Sequence, residues 1–228
     1  MGYTFGAGTS NKIVCGTDVV TKASTWSLFV RLKVLSANTT TRRICEYGQT
    51  SGGFRAQFYS HFLVGTNDLR VGHSIGGGFN EVGWVTGWSA GSIHSFVGVN
   101  NGTGIIIYAD TDSTAKATNA LAGGNSDQDS GQVFTIGNLD TFSDGADCDI
   151  YEVAWFPSTV LTGAQAAQLG AGSPVGVPLP RHSWGLINNP KAEFGGVHGT
   201  VTGASVVAHG VTNVYPVPIT GRVLLGVG

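Results

Sequence analysis

Within this 228-residue chain, one stretch carries both a start and a stop signal for a helix. Thr162 is a good N-cap and Gln165, three positions on, completes a capping box. Leu161 can staple against Ala166, and Gly170 stands where a glycine ends a helix. A helix over 162–169 has only about two turns, too few to be stable alone, so it must pack on something. Up to Trp155 the rest of the chain reads as short apolar and β-branched runs separated by clusters of Gly, Asn, Asp and Ser, the pattern of strands joined by turns. One short helix among many strands predicts an all-β fold built as a two-sheet sandwich. No repeat of fixed period is visible, which argues against a propeller or solenoid.

The strand signals fall at Trp26–Val34, Arg43–Gly48, Gly53–Tyr59, Leu69–His73, Ser92–Val99, Ile105–Ala109 and Gln132–Gly137. In the first of these, Arg31 and Lys33 share one face. Asn100-Asn101-Gly102-Thr103-Gly104 supplies the positive φ values of a hairpin turn, with Ile105–Ala109 as its return strand. Gly76-Gly77-Gly78 opens a loop between strands; no helix follows it, so it is not a phosphate-binding loop.

Only 11% of the residues are charged, against roughly 25% in an average soluble domain, while 41% are hydrophobic. A surface so poor in charge points to assembly, with partners or further copies of the chain covering part of it. Net charge is −2 and no basic run exists, so nucleic-acid binding is not expected. The first residues lack the basic start and apolar run of a signal peptide, and no stretch is long enough to span a membrane. Synthesis in a cytoplasm without a classical export signal is the expectation.

Cys15, Cys45 and Cys148 are odd in number and widely spaced, which fits neither a disulfide framework nor a zinc site. They read as small buried hydrophobes in strands. The six histidines show no metal-ligand grouping, and no Gly-x-Ser-x-Gly elbow supports Ser-His-Asp chemistry. Residues 171–180, rich in Pro and Gly, form a joint between a domain at 1–170 and an extension at 171–228. The tail from Asn213 has Arg222 as its only charge and is expected to pack on the domain or on a neighbouring subunit.

The ordered segments resemble the concanavalin A-like lectin/glucanase superfamily in its laminin-G-like jelly-roll branch. Lys12–Gly16 is similar to that family's first strand and Trp26–Leu32 to its aromatic-containing strand. Ile93–Ala109 resembles the central pair, and Asp149–Trp155 with the following helix resembles the closing strand-plus-helix. The likeness covers about residues 1–170. Arg181–Leu186 and the section beyond it resemble, more loosely, an extension seen in phage-encoded proteins. The resemblance implies an antiparallel two-sheet jelly roll whose concave face in relatives often binds glycans, sometimes with calcium.

Three chemistries are conceivable on that frame. Laminarinase-type relatives carry Glu-x-Asp-x-x-Glu on one strand; here Asp147-x-Asp149-x-x-Glu152 has Asp first. In a regular strand Glu152 faces away from the other two unless a bulge intervenes, so no catalytic residue is assigned. Asp110 with Asp112, and Asp127 with Asp129, lie in loop-like segments that offer oxygens to calcium; solvated turn residues are the plainer reading. Trp84 and Trp88, four apart and flanked by glycines, are candidates to stack on sugar rings; core or interface packing is the alternative. The reading that joins these points is a non-enzymatic phage virion protein, a capsid decoration or other virion-surface module that self-associates and contacts a capsid protein. The alternative is a carbohydrate-binding module, for example on a tail fibre.

Overall fold

A computed structural model of the chain describes residues 2–5, 11–17, 23–36, 42–49, 55–63, 68–75, 78–120, 133–138, 145–185 and 200–207. Its described strands are β1 (Gly2–Phe5), β2 (Lys12–Thr17), β3 (Trp26–Val34), β4 (Arg42–Gln49), β5 (Arg55–Leu63), β6 (Asp68–Ile75), β7 (Gly78–Val85), β8 (Ile93–Asn100), β9 (Ile105–Ala109), β10 (Ala117–Asn119), β11 (Val133–Ile136), β12 (Cys148–Pro157), β13 (His182–Gly185), β14 (Thr200–Thr202) and β15 (Ser205–Val207), with one helix, α1 (Gly163–Gly170), between β12 and β13. One sheet has the order β10-β9-β8-β3-β12-β1-β15, with β13 also paired to β12. The other runs β14-β2-β11-β4-β5-β6-β7. Pairings between the named strands are antiparallel.

The two sheets face each other across one core. Trp26, Leu28, Val30, Leu32 and Val34 of β3 meet Ile13, Ile44, Tyr47, Leu69, Val71, Phe134 and Ile136 of the second sheet there. All three cysteines are free and buried in that same core, as the sequence predicts. Phe29 of β3 points to the opposite face. There it joins Val97, Val99, Ala154, Phe156 and three residues around α1, namely Leu161, Ala166 and Leu169. Because β3 is buried on both faces, its sequence does not alternate cleanly between apolar and polar.

The helix forms where the sequence places it. The Thr162 side chain accepts from the Gln165 amide, and the Gln165 side chain accepts from the Thr162 amide at 2.9 Å. Leu161 and Ala166 share one apolar cluster, consistent with the staple. The stop signal differs in detail: Gly170 is the last helical residue, and the left-handed conformation belongs to Gly172 at φ 80°. Gly170 serves close approach instead, since a Cβ there would run into the Asp110 carbonyl oxygen. Gly163, at the other end, abuts the Ser113 carbonyl oxygen in the same way. The short helix therefore lies backbone against backbone on the turn that follows β9.

The extension is part of both sheets. β13 pairs with β12, β14 with β2, and β15 with β1. The tail from Asn213 lies outside the described residues.

Candidate functional site

The edge where β8 begins and β9 ends carries a chain of polar contacts. Asp110 follows β9 with φ 54°, a left-handed conformation that aspartate tolerates better than most residues. That turn brings its carboxylate back onto β8. Oδ1 accepts from the Ser95 amide at 3.0 Å, and Oδ2 lies 3.0 Å from His94 Nδ1. On the far side of the ring, His94 Nε2 is 2.8 Å from Ser92 Oγ, and that hydroxyl also donates to the Ser89 carbonyl at 2.6 Å. The imidazole is stacked on the Trp88 ring, with centroids 4.5 Å apart and planes 6° from parallel. Trp84 meets Trp88 edge-on at 5.6 Å, and the Lys116 ammonium stands 5.9 Å from the Trp84 ring centre.

A cleft of about 230 Å³ opens beside this chain, lined by Arg31, Ile93, His94, Ser95, Asp110 and the Gly170–Ala171 end of α1. Arg31 fixes its floor. The guanidinium donates to the Leu169 carbonyl at 2.8 Å and the Gly170 carbonyl at 3.3 Å, placing a cation on the negative end of the helix. Burial lowers the Arg31 pKa, and the Glu152 carboxylate works against that shift. Ile93 is 43% exposed at the rim, so the cleft combines an apolar edge with an accessible carboxylate and a histidine.

The acidic strand departs from the sequence expectation. Pairing of β12 with β3 steps from Ile150 opposite Leu32 to Glu152 opposite Arg31, so Tyr151 is the extra residue of a bulge. The bulge turns Glu152 onto the face that holds Asp149 opposite Lys33, correcting the expectation that it points the other way. This does not make a hydrolytic pair. Glu152 has no exposed surface, Asp149 accepts from Thr4 Oγ1 at 2.6 Å, and Asp147 accepts from Ser36 Oγ.

At Asp110 and Asp112, the pair considered for calcium, the carboxylates already have protein partners. Asp110 is engaged by His94 and the Ser95 amide. Asp112 binds the Lys116 ammonium at 2.7 Å and the Thr114 amide at 2.8 Å, and its pKa falls to about 2, chiefly through the Lys116 contact. A lysine on the carboxylate is the wrong neighbour for a cation site. Among the described residues no three His, Cys, Asp or Glu side chains gather to hold a metal ion. Asp127 and Asp129 lie outside the described residues.

Trp84 and Trp88 are brought together, but differently from the glycine-rich loop the sequence suggests. Trp84 is on strand β7 and half-buried, whereas Trp88 is 7% exposed with one ring face covered by His94. Trp88 is thus a packing residue of this corner. The Ser92–His94–Asp110 chain was not visible in the sequence, which offers no motif for residues assembled from two strand ends. Its one local sign is Ser92-x-His94 at a strand start, which places both side chains on the same face.

No family model matches the sequence, and no curated protein matches it. Solved structures do. A heptameric SAP-like pentraxin from Limulus polyphemus superposes with a TM-score of 0.59 at 15% identity, covering 78% of this chain and 84% of that one. A putative carbohydrate binding protein from Bacteroides ovatus gives 0.63 at 15% identity, covering 90% of this chain and 58% of the other. This chain therefore spans little more than half of that protein. The CBM40 of a Ruminococcus gnavus IT-sialidase gives 0.52 at 12% identity, over 64% of this chain and 82% of that domain. The fold is an antiparallel two-sheet β-sandwich of the kind these structures share. At these identities the likeness establishes architecture, and function has to come from the site.

Proposed function

We propose that this chain is a non-catalytic carbohydrate-recognition module whose ligand seats in the cleft between the β8–β9 edge and the end of α1. The observation that carries the reading is the convergence of the Asp110 carboxylate, the His94 ring and Ser95 beside exposed Ile93 in one preformed hollow. Sugars need such a mixture: acceptors and donors for hydroxyls next to an apolar patch for the ring's C–H face. At about 230 Å³ the hollow is smaller than the roughly 300–1,000 Å³ of pockets for drug-sized ligands, which suits one sugar residue of a longer glycan. The names of the Bacteroides protein and the CBM40 domain support the reading by analogy of fold alone. In this reading Trp84, half-buried and two ring contacts away from the cleft, serves as a neighbouring subsite. The test is a glycan array with three proteins. Wild type retains at least one glycan class, Ala171→Trp, which fills the hollow from an exposed position, loses it, and Trp84→Ala weakens it. An array without signal overturns the reading.

A second reading, placement on a virion surface with a capsid protein as neighbour, is favoured by the low charge content of 11%. Mass spectrometry of purified particles tests it; particles that lack the chain overturn it.

A further inference from the structure

The charges around the cleft do not cancel, and the remainder falls on one exposed carboxylate. Arg31 in the floor is offset twice. Its guanidinium is bonded to the Leu169 and Gly170 carbonyls, and the buried Glu152 carboxylate stands opposite it. Lys33, across from Ile93 of the rim, has Asp149 opposite it on its other side. Lys116 is bonded to Asp112. That leaves Asp110. Its side chain is 44% exposed, and among the described residues no lysine or arginine pairs with it. The Ser95 amide and the His94 ring each bond one of its oxygens, which fixes the carboxylate in place and leaves both oxygens with further acceptor capacity. The facing wall, Gly170–Ala171, is the C-terminal end of α1, where the helix dipole also favours positive charge.

We propose that the cleft selects a cationic sugar: a hexosamine residue with a free amine, its ammonium on the Asp110 carboxylate and its ring face against Ile93. The assignment rests on the carbohydrate reading of the same cleft and adds to it the charge of the ligand. An ammonium brings Asp110 three hydrogens and a full positive charge, so the bond it makes is charge-assisted. A sugar hydroxyl or an acetamide brings one hydrogen and no charge. A uronic acid or a sulfated sugar sets like charges against each other in the hollow, so Asp110 also rejects acidic glycans. Asp110 is thus the specificity-determining residue of the cleft. Its backbone is left-handed at φ 54°, a conformation that asparagine adopts as readily as aspartate. Asp110→Asn therefore removes the charge while keeping the turn and the shape of the wall.

The experiment is calorimetric titration of the full chain at neutral pH with short oligomers of glucosamine, of N-acetylglucosamine and of glucuronic acid. Wild type is expected to bind the glucosamine oligomer at least about tenfold more tightly than its acetylated counterpart, the worth of a hydrogen bond to a charged group. Added salt narrows that gap, and the glucuronic acid oligomer gives no heat of binding. Asp110→Asn, with an NMR spectrum that shows it folded, binds the first two oligomers equally. A preference for the free amine that survives in Asp110→Asn overturns the assignment, as does wild type binding the acetylated or the acidic oligomer as well as the amine. The two readings fail separately. A neutral glycan whose shifts map to Ile93–Ser95, with no preference for the amine, overturns the charge assignment alone, whereas an array without signal overturns the carbohydrate reading itself.

Discussion

Glu152 of β12 stands directly opposite Arg31 of β3, and the Arg31 guanidinium reaches past the sheet to the last carbonyls of α1. The Tyr151 bulge is what brings the pair about, by turning Glu152 onto the helix face. A strand that resembles a hydrolase motif is thereby used to seat a helix, and the end of that helix forms one wall of the cleft.

Arg31 is 6% exposed and Glu152 is fully buried, and the carboxylate offsets part of the burial shift of the guanidinium, so removing either charge leaves the other less compensated. Arg31→Met is expected to lower the unfolding free energy by about 3–5 kcal/mol. The double variant Arg31→Met with Glu152→Met is expected to recover part of that loss. Urea denaturation of the three proteins measures it, and a single variant as stable as wild type removes the pair's role.

Two substitutions at the ends of α1 have expected effects of known sign. Thr162→Ala removes the reciprocal cap and costs about 1 kcal/mol. Gly170→Ala is favoured by about 1 kcal/mol on helix propensity. It is nonetheless expected to destabilise by about 1–3 kcal/mol, because the new methyl meets the Asp110 carbonyl oxygen. Thermal melts that show Gly170→Ala gaining stability contradict the backbone contact.

Alkaline pH is expected to weaken the fold. Burial pushes the Cys45 thiol up to about 12, against a smaller pull from the Ser60 hydroxyl, and burial likewise raises the Cys15 and Cys148 thiols. Tyr151 is also pushed up to about 12, by burial first and by Asp149 second. Unfolded, these groups ionise near 8.5 and 10. The folded chain therefore keeps protons that the unfolded chain releases, and stability is full below about pH 8.5 and declines as pH rises toward 12. Unfolding midpoints measured from pH 7 to 11 check the slope. In the same protein, an aromatic disulfide reagent at pH 8 should label no cysteine until denaturant is added.

The parts of the fold set by local chemistry were legible in the sequence. The capping box of Thr162 and Gln165, the Asn101–Gly104 turn and the buried cysteines follow from short-range rules, and the strands around them fix the class. β7 was not legible, because Gly78, Gly83 and the glycines beside them read as loop. Gly83 is in fact the place where the Arg70 side chain lies against the strand, at 2.5 Å from where a Cβ would sit, with Arg70 bonded to Asp68 and Glu81. The bulge at Tyr151 was hidden for another reason: nothing in Ile150-Tyr151-Glu152 marks it, and it is imposed by pairing with β3. The cleft was hidden because His94, Asp110 and Gly170 come from three separate elements. Of its residues, Gly170 carried a helix-stop signal and Asp110 a signal that pointed to calcium, and neither pointed to a shared cleft.

The seat of the ligand is the point on which the functional account stands. Chemical-shift mapping of the whole chain with a glycan retained on the array addresses it. The account predicts that the largest backbone shifts fall on Ile93–Ser95, Asp110 and Gly170–Ala171, and that Ala171→Trp reduces affinity at least tenfold while its spectrum remains that of a folded protein. Shifts confined to another face of the sandwich, with Ala171→Trp binding as wild type does, would contradict it.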